Sequence, residues 1–100
     1  MALIYEEVHI TVDPGRREEF VRVYRQAWND SHFEGSHEGK IMRCIEDAAK
    51  VVVLIEWDDV AAHRQHRGSE KQRRFREAID PFMKDWHVQH YELEELTAED

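Results

Sequence analysis

The sequence contains few of the residues that are typical of several large classes of protein. Its 100 residues include one cysteine, Cys44, so no disulfide can form within the chain, which is typical of a protein kept in a reducing cytoplasm. No apolar run approaches the roughly 20 residues that a membrane-spanning helix needs, and the N-terminus lacks the basic-then-apolar order of a signal peptide. We therefore expect a cytoplasmic protein without a membrane partner.

Positive charge is also scarce. Lysine and arginine number 14 against 22 acidic residues, and the net charge is −8 at pH 7. Such a surface repels nucleic-acid phosphates and anionic lipids, so neither is expected as a partner. A hydrophobic share of 41% with 10% aromatic residues argues against disorder. The length predicts a single domain over residues 1–96, followed by a short acidic C-terminal tail at 97–100.

An apolar run from Val51 to Ile55 predicts a strand around which the rest of the chain is arranged. Three of its five residues are valine, and β-branched side chains favour strands. A strand that is apolar at every position is typically buried on both faces. Trp57 ends this strand, and Asp58 and Asp59 can then cap a helix that carries titratable side chains. We therefore expect a pocket at this point of the chain.

The remaining pattern completes an alternation of strands and helices. Alternating residues predict a first strand over Ile4–Val12, and the Asp13-Pro14 pair predicts the start of a helix. The further predicted elements are a helical stripe from Phe20 to Trp28, a loop at 29–39, a strand at 40–46, a helix capped by Ser69 and a strand at 87–93. The apolar stripe of the helix capped by Ser69 runs from Phe75 to Met83, and Pro81 ends or kinks that helix near Ile79. This βαββαβ order is that of a ferredoxin-like α+β sandwich.

In such a sandwich the helices cover only one face of the sheet. The other face would carry Val52 and Leu54, and burying each of these side chains is worth roughly 1.5–3 kcal/mol. We therefore predict a two-fold homodimer that forms through the sheet faces.

Several short motifs, in their order along the chain, resemble the antibiotic biosynthesis monooxygenase (ABM) family. They are the run VLIEWDD ending at Asp59, then Ala62, His66-Arg67, Ser69 and Phe75, together with the Asp13-Pro14-Gly15 turn and the closing Val88-Gln89-His90-Tyr91-Glu92. The resemblance implies a dimeric α+β barrel with one cleft per subunit between sheet and helices. Some members oxidise aromatic polyketides or quinols with dioxygen and no cofactor, others bind and degrade haem, and many have no established activity.

The resemblance to the haem-degrading members is incomplete. Trp57 matches a tryptophan of those proteins, but Val8 stands where they have an asparagine on the first strand. Arg76 stands near the position of their iron-binding histidine, and its side chain is not a neutral nitrogen ligand. Haem binding is therefore the third and least favoured interpretation, after a cofactor-independent monooxygenase and a non-catalytic module that binds a small ligand.

An oxidation without a cofactor requires a general base, donors for a developing phenolate and an apolar wall. His66 or His63 is the expected base, and Arg67 would stabilise the anion. The expected substrate-binding residues are Trp57, Tyr91 or His90 from the last strand, and Tyr24 and Trp28 from the first helix, although each of these aromatic residues also suits a core position. His63 and His66 lie three residues apart on one predicted helix, but no third ligand has a defined spacing, so no metal site is predicted.

Overall fold

The computed structural model of the protein describes residues 3–96, in which four antiparallel strands form one sheet and the helices pack on one of its faces. The strands are β1 (Ile4–Val12), β2 (Ser36–Arg43), β3 (Lys50–Trp57) and β4 (Met83–Glu92), and the helices are α1 (Arg17–Ser31), α2 (Val60–Arg64) and α3 (Glu70–Ile79), with short 3-10 turns at Pro14–Arg16 and Asp80–Phe82. The strand order is β2-β3-β1-β4. The predicted ferredoxin-like α+β fold is confirmed; the predicted tail at 97–100 lies outside the described residues.

The local signals that begin the helices act as the sequence predicts. The Asp13 carboxylate accepts a hydrogen bond from the amide of Gly15 at 2.8 Å, at the turn that leads into α1. Asp59 caps α2 through the amide of Ala62, and the Ser69 hydroxyl caps α3. Each cap satisfies an amide that has no partner within its own helix.

Element boundaries differ from the prediction where tertiary pairing overrides the local pattern. β2 begins at Ser36, inside the predicted loop, because Ser36 pairs with Trp57, and it ends at Arg43. β4 begins at Met83, which pairs with Val12, and not at His87. The predicted helical stripe therefore stops at Ile79. Pro81 cannot continue that helix, and it lies in a 3-10 turn.

The sheet has a helix-covered face and an open face. Val51, Val53, Ile55 and Trp57 point toward the helices, and none of them is more than 2% exposed. Val52 and Leu54 point the other way and are half-buried. The molecule is 20 Å across its thinnest axis, the depth of one sheet and one helix layer. No helix within residues 3–96 has the length and apolar character to cross a bilayer.

Candidate active site

A cavity of about 380 Å³ lies between the helix-covered face and the helices. Aromatic rings form much of its wall, among them Trp28, Phe33, Trp57, Phe75 and Trp86. Several of these rings pack edge to face, as Trp28 does on Trp57 at 6.3 Å between centroids, which is a favourable arrangement for aromatic pairs. Such a wall suits a flat apolar ligand.

Glu6 is the acidic group of this cavity. It lies on β1 among apolar residues of the helix-covered face and is only 6% exposed. The indole Nε1–H of Trp57 donates a hydrogen bond to Glu6 Oε1 at 2.8 Å. Burial raises the pKa of Glu6 to about 7, although the hydrogen bond from Trp57 acts in the opposite direction. At neutral pH this carboxyl group therefore exists in both protonation states.

His63 connects Glu6 with the last strand. Its ring stacks on Trp57 at 4.9 Å between centroids, and its Nε2 lies 3.4 Å from Glu6 Oε2. Its Nδ1 lies 2.8 Å from Nε2 of His90. Burial, together with smaller contributions from the neighbouring His90 and Arg67, lowers the pKa of His63 to about 4. Burial also lowers the pKa of His90. Both imidazoles are therefore neutral at pH 7.

His66 and Arg67 also line the cavity, but neither lies on a helix. α2 ends at Arg64, so the expectation that His63 and His66 share one helix face is wrong. The Nε2 of His66 lies 2.7 Å from the backbone carbonyl oxygen of Glu34. A carbonyl oxygen can only accept, so this nitrogen must carry a proton.

Tyr24 and Trp28 reach the cavity from α1, as the sequence predicts. Tyr24 is 5% exposed and packs edge to face on Phe75. Burial raises the pKa of its phenol, which remains protonated at any physiological pH. Tyr24 thus belongs to the core as much as to the cavity wall.

Of the two predicted residues on β4, only one faces the cavity. His90 pairs with Glu6 in the sheet register and lines the cavity, whereas Tyr91 pairs with Tyr5 on the open face. Tyr91 is 43% exposed, and its hydroxyl donates a hydrogen bond to Gln89. The expectation that Tyr91 contacts a ligand in the cavity therefore does not hold, because successive residues of a strand point to opposite faces.

The sequence interpretation missed Glu6 altogether. The available signal was a single acid in an alternation that is otherwise apolar, Ile4, Val8, Ile10 and Val12. An acid at such a position is buried, and a buried carboxyl group either finds a donor or shifts its pKa. Here it does both.

The polar groups do not converge as metal ligands do. No cluster of three or more histidine, cysteine or acidic side chains with metal-binding geometry occurs within residues 3–96. The two ring nitrogens of His63 face different partners, His90 and Glu6. What the arrangement provides is a carboxyl group that exchanges a proton near neutral pH, a neutral imidazole beside it and an aromatic enclosure that limits water.

Comparisons with known proteins bear on this arrangement. None of the curated proteins compared with the chain is significantly similar to it in sequence. Among solved structures, a candidate antibiotic biosynthesis monooxygenase from Bordetella bronchiseptica aligns with a TM-score of 0.80 at 25% identity, over 90% of this chain and 95% of that one.

Two further candidate antibiotic biosynthesis monooxygenases share the fold. The protein from Nitrosomonas europaea has a TM-score of 0.79 at 15% identity, over 97% of this chain and 95% of that one. The protein from Caulobacter crescentus has a TM-score of 0.78 at 18% identity, over 94% and 92% respectively. The family model for antibiotic biosynthesis monooxygenases matches residues 3–78, which is most of the chain. The protein therefore belongs to the antibiotic biosynthesis monooxygenase family.

Proposed function

We propose that the cavity oxidises a small aromatic or quinol-like substrate with dioxygen, without a cofactor, and that Glu6 is the general base. The observation that carries the proposal is the Glu6 carboxyl group, buried among aromatic rings and bound to Trp57 at 2.8 Å, with a pKa of about 7. A general base is most effective when its pKa lies near the working pH. Glu6 thereby replaces His63 and His66, the bases that the sequence predicts.

The low pKa of His63 argues against it as the base. A group with a pKa of about 4 remains unprotonated at neutral pH but has little tendency to take a proton from a phenol. Its neutral ring is suited instead to holding the carboxyl group of Glu6. Arg67 lines the same cavity and supplies a positive charge that would favour a phenolate.

The reaction needs no external reductant. Glu6 takes the proton of the aromatic hydroxyl, and the resulting phenolate gives one electron to dioxygen, which forms a radical pair. The pair combines to form a bond between a ring carbon and oxygen. The peroxide takes a proton from solvent, and the protonated carboxyl group releases its own proton to solvent. Loss of the hydrogen on that carbon then breaks the O–O bond. One oxygen atom remains as a carbonyl group and the other leaves as water.

We also propose that two copies pair through their open faces. The support is the pair Val52 and Leu54, which no helix within residues 3–96 covers and which stays half-buried in a single copy. A second sheet would remove both side chains from water. The single cysteine of the sequence supports a cytoplasmic location.

Oxygen uptake by the purified protein, with a panel of naphthols and hydroquinones, tests the proposed activity. We expect wild-type protein to consume oxygen faster than the buffer blank, and Glu6→Gln to lower kcat by about 10²–10⁴-fold, because the amide cannot accept the substrate proton. Glu95→Gln removes an exposed carboxylate outside the cavity and serves as the matched control. Uptake no faster than the blank across the panel would favour the alternative, a non-catalytic module that binds a small ligand in the cavity.

A further inference from the structure

We infer that Glu6, His63 and His90 form a proton path from the cavity to the sheet edge, along which both histidines change tautomer whenever Glu6 gains or loses a proton. The inference rests on the proposed function, because it concerns where the proton accepted by Glu6 goes. It also predicts a property that is measurable without any substrate.

The geometry of the path comes from three different elements. Glu6 is on β1, His63 on α2 and His90 on β4, which is an edge strand of the sheet. The His63 Nδ1 to His90 Nε2 distance of 2.8 Å is that of a hydrogen bond. The distance from His63 Nε2 to Glu6 Oε2 is longer, at 3.4 Å, and a shift of about 0.3 Å brings it into the usual range.

Each end of the path has a different environment. Glu6 is 6% exposed, and its other oxygen is held by Trp57, so Oε2 is the oxygen directed at His63. His90 is half-buried, so the outer ring has access to solvent. A proton on Glu6 therefore has a route to water through the two imidazole rings that does not pass through the substrate.

The protonation state of Glu6 fixes the direction of every hydrogen bond in the path. An ionised Glu6 can only accept, so His63 must donate from Nε2, and its bare Nδ1 must accept from the Nε2–H of His90. A protonated Glu6 donates to His63 Nε2. His63 then carries its hydrogen on Nδ1 and donates to Nε2 of His90, which carries its own hydrogen on Nδ1.

One proton leaves when the second arrangement changes into the first. The hydrogen of Glu6 moves to His63 Nε2, the hydrogen of His63 Nδ1 moves to His90 Nε2, and the hydrogen of His90 Nδ1 moves to water. Each ring loses one N–H bond and gains another. Glu6 ends as a carboxylate, both rings remain neutral, and the net change is one proton released.

The charges around the path oppose a positive imidazole. The groups that face it from the packed elements are Tyr24 on α1, Trp57 on β3, Arg64 on α2, His66 and Arg67 after α2, and Arg76 on α3. Among these the arginines lower the pKa of His63 or of His90 or, as Arg76 does, that of Tyr24. This environment therefore favours a path in which neither histidine ring becomes positively charged.

Nitrogen NMR of the full chain, labelled with ¹⁵N in its histidines, tests the inference without substrate. Between about pH 5 and 9, we expect Nδ1 of His63 to change from protonated to bare as the pH rises through the pKa of Glu6, while Nε2 changes in the opposite sense. His90 should change at the same midpoint. A His63 that keeps one tautomer over this range, or that becomes an imidazolium, would overturn the inference.

Glu6→Gln provides the control for the coupling, since its side chain does not titrate. In this variant the tautomers of both rings should not change near pH 7, whereas a change that persists would show that Glu6 does not drive it and would contradict the inference. Folding of the variant is checked by its backbone spectrum. His63→Asn, a second variant, should leave His90 without any change near pH 7, because the link to Glu6 is cut.

The kinetic consequence is a loss of kcat without a loss of KM. His90→Gln retains hydrogen-bonding groups but cannot exchange one N–H for another, so we expect kcat to fall about tenfold, while His37→Gln, an exposed control outside the cavity, should have no such effect. Failure of the proposed activity gives no oxygen uptake by wild type, whatever the tautomers do. Failure of the path gives uptake with unchanged tautomers. The two failures are thus distinguishable.

Discussion

The two faces of the sheet are built from the same strands but differ in chemistry. On β1, the residues with even numbers face the helices and include Glu6, whereas the odd-numbered residues form the open face and include His9. Glu6 is 6% exposed and its pKa is raised, while the ring of His9 stacks on that of His87 at 4.8 Å on the open face. The helix-covered face therefore buries a carboxyl group among apolar residues, whereas the open face leaves a stacked pair of polar rings partly in water.

The comparison also separates two roles. The helix-covered face is covered by helices of the same chain and encloses the cavity in which we propose the oxidation. The open face has no cover within the described residues 3–96, and it is the face through which we propose that two copies pair.

The largest effect is expected for Leu54→Asp on the open face. In a two-fold interface the substitution replaces two buried leucines with charged residues. The loss of leucine burial alone costs about 3–6 kcal/mol of association free energy. We expect light scattering to report a monomer of 12.0 kDa, where the wild type gives twice that mass. Ile45→Asp, at a site that is 93% exposed, adds the same charge and should leave the dimer intact. A monomeric wild-type protein would contradict the proposed interface.

The next effect concerns stability on the helix-covered face. The pKa of Glu6 is higher in the folded state, about 7, than its ordinary value of 4.5. The folded state therefore binds the proton more tightly, and the associated stability is present at low pH and is lost as the pH rises between those two values. Relative to wild type, Glu6→Gln should gain free energy of unfolding over this interval, on the order of 3 kcal/mol.

His63 has the opposite dependence, because its pKa is lower in the folded state. Its contribution is present above its ordinary pKa and is lost as the pH falls toward about 4. Since His63 is present in both wild type and Glu6→Gln, its contribution largely cancels in the difference between their free energies of unfolding. Denaturant titrations at matched protein concentration provide the measurement, and a difference that does not change with pH would show that Glu6 titrates normally.

The smallest effect is expected for Trp57→Phe. The substitution removes the donor that favours the ionised form of Glu6, so the pKa of Glu6 should rise by about one unit, or ~1.4 kcal/mol. The acidic limb of the profile of kcat/KM against pH should move upward by the same amount. Trp86→Phe changes a tryptophan of the cavity wall that is 43% exposed and stacks on Arg76, and it should not move this limb. Equal shifts in the two variants would point to a general effect of the cavity wall.

The sequence predicts the fold well because its signals are local. The alternation of β1, the caps Asp13, Asp59 and Ser69 and the valine strand all act within a few residues. Boundaries such as the start of β2 at Ser36 depend on pairing with a distant strand, and no local pattern specifies that register.

The candidate site is predicted less completely for the same reason. Trp57, His63 and His90 are recognisable as cavity residues from their chemistry and place in the chain, but the choice of His90 over Tyr91 needs the strand register. The pKa of Glu6 depends on a tryptophan 51 positions away and on burial by helices. Long-range packing of this kind cannot be read from spacing alone.

The central claim is that the helix-covered face holds a carboxyl group that titrates near neutral pH. A ¹³C NMR titration of the Glu6 carboxyl carbon, assigned by its absence from the spectrum of Glu6→Gln, measures this directly. The structure predicts a midpoint of about 7. A midpoint at the ordinary value of 4.5 would contradict the account, because Glu6 would then be a solvated carboxylate with no advantage as a base.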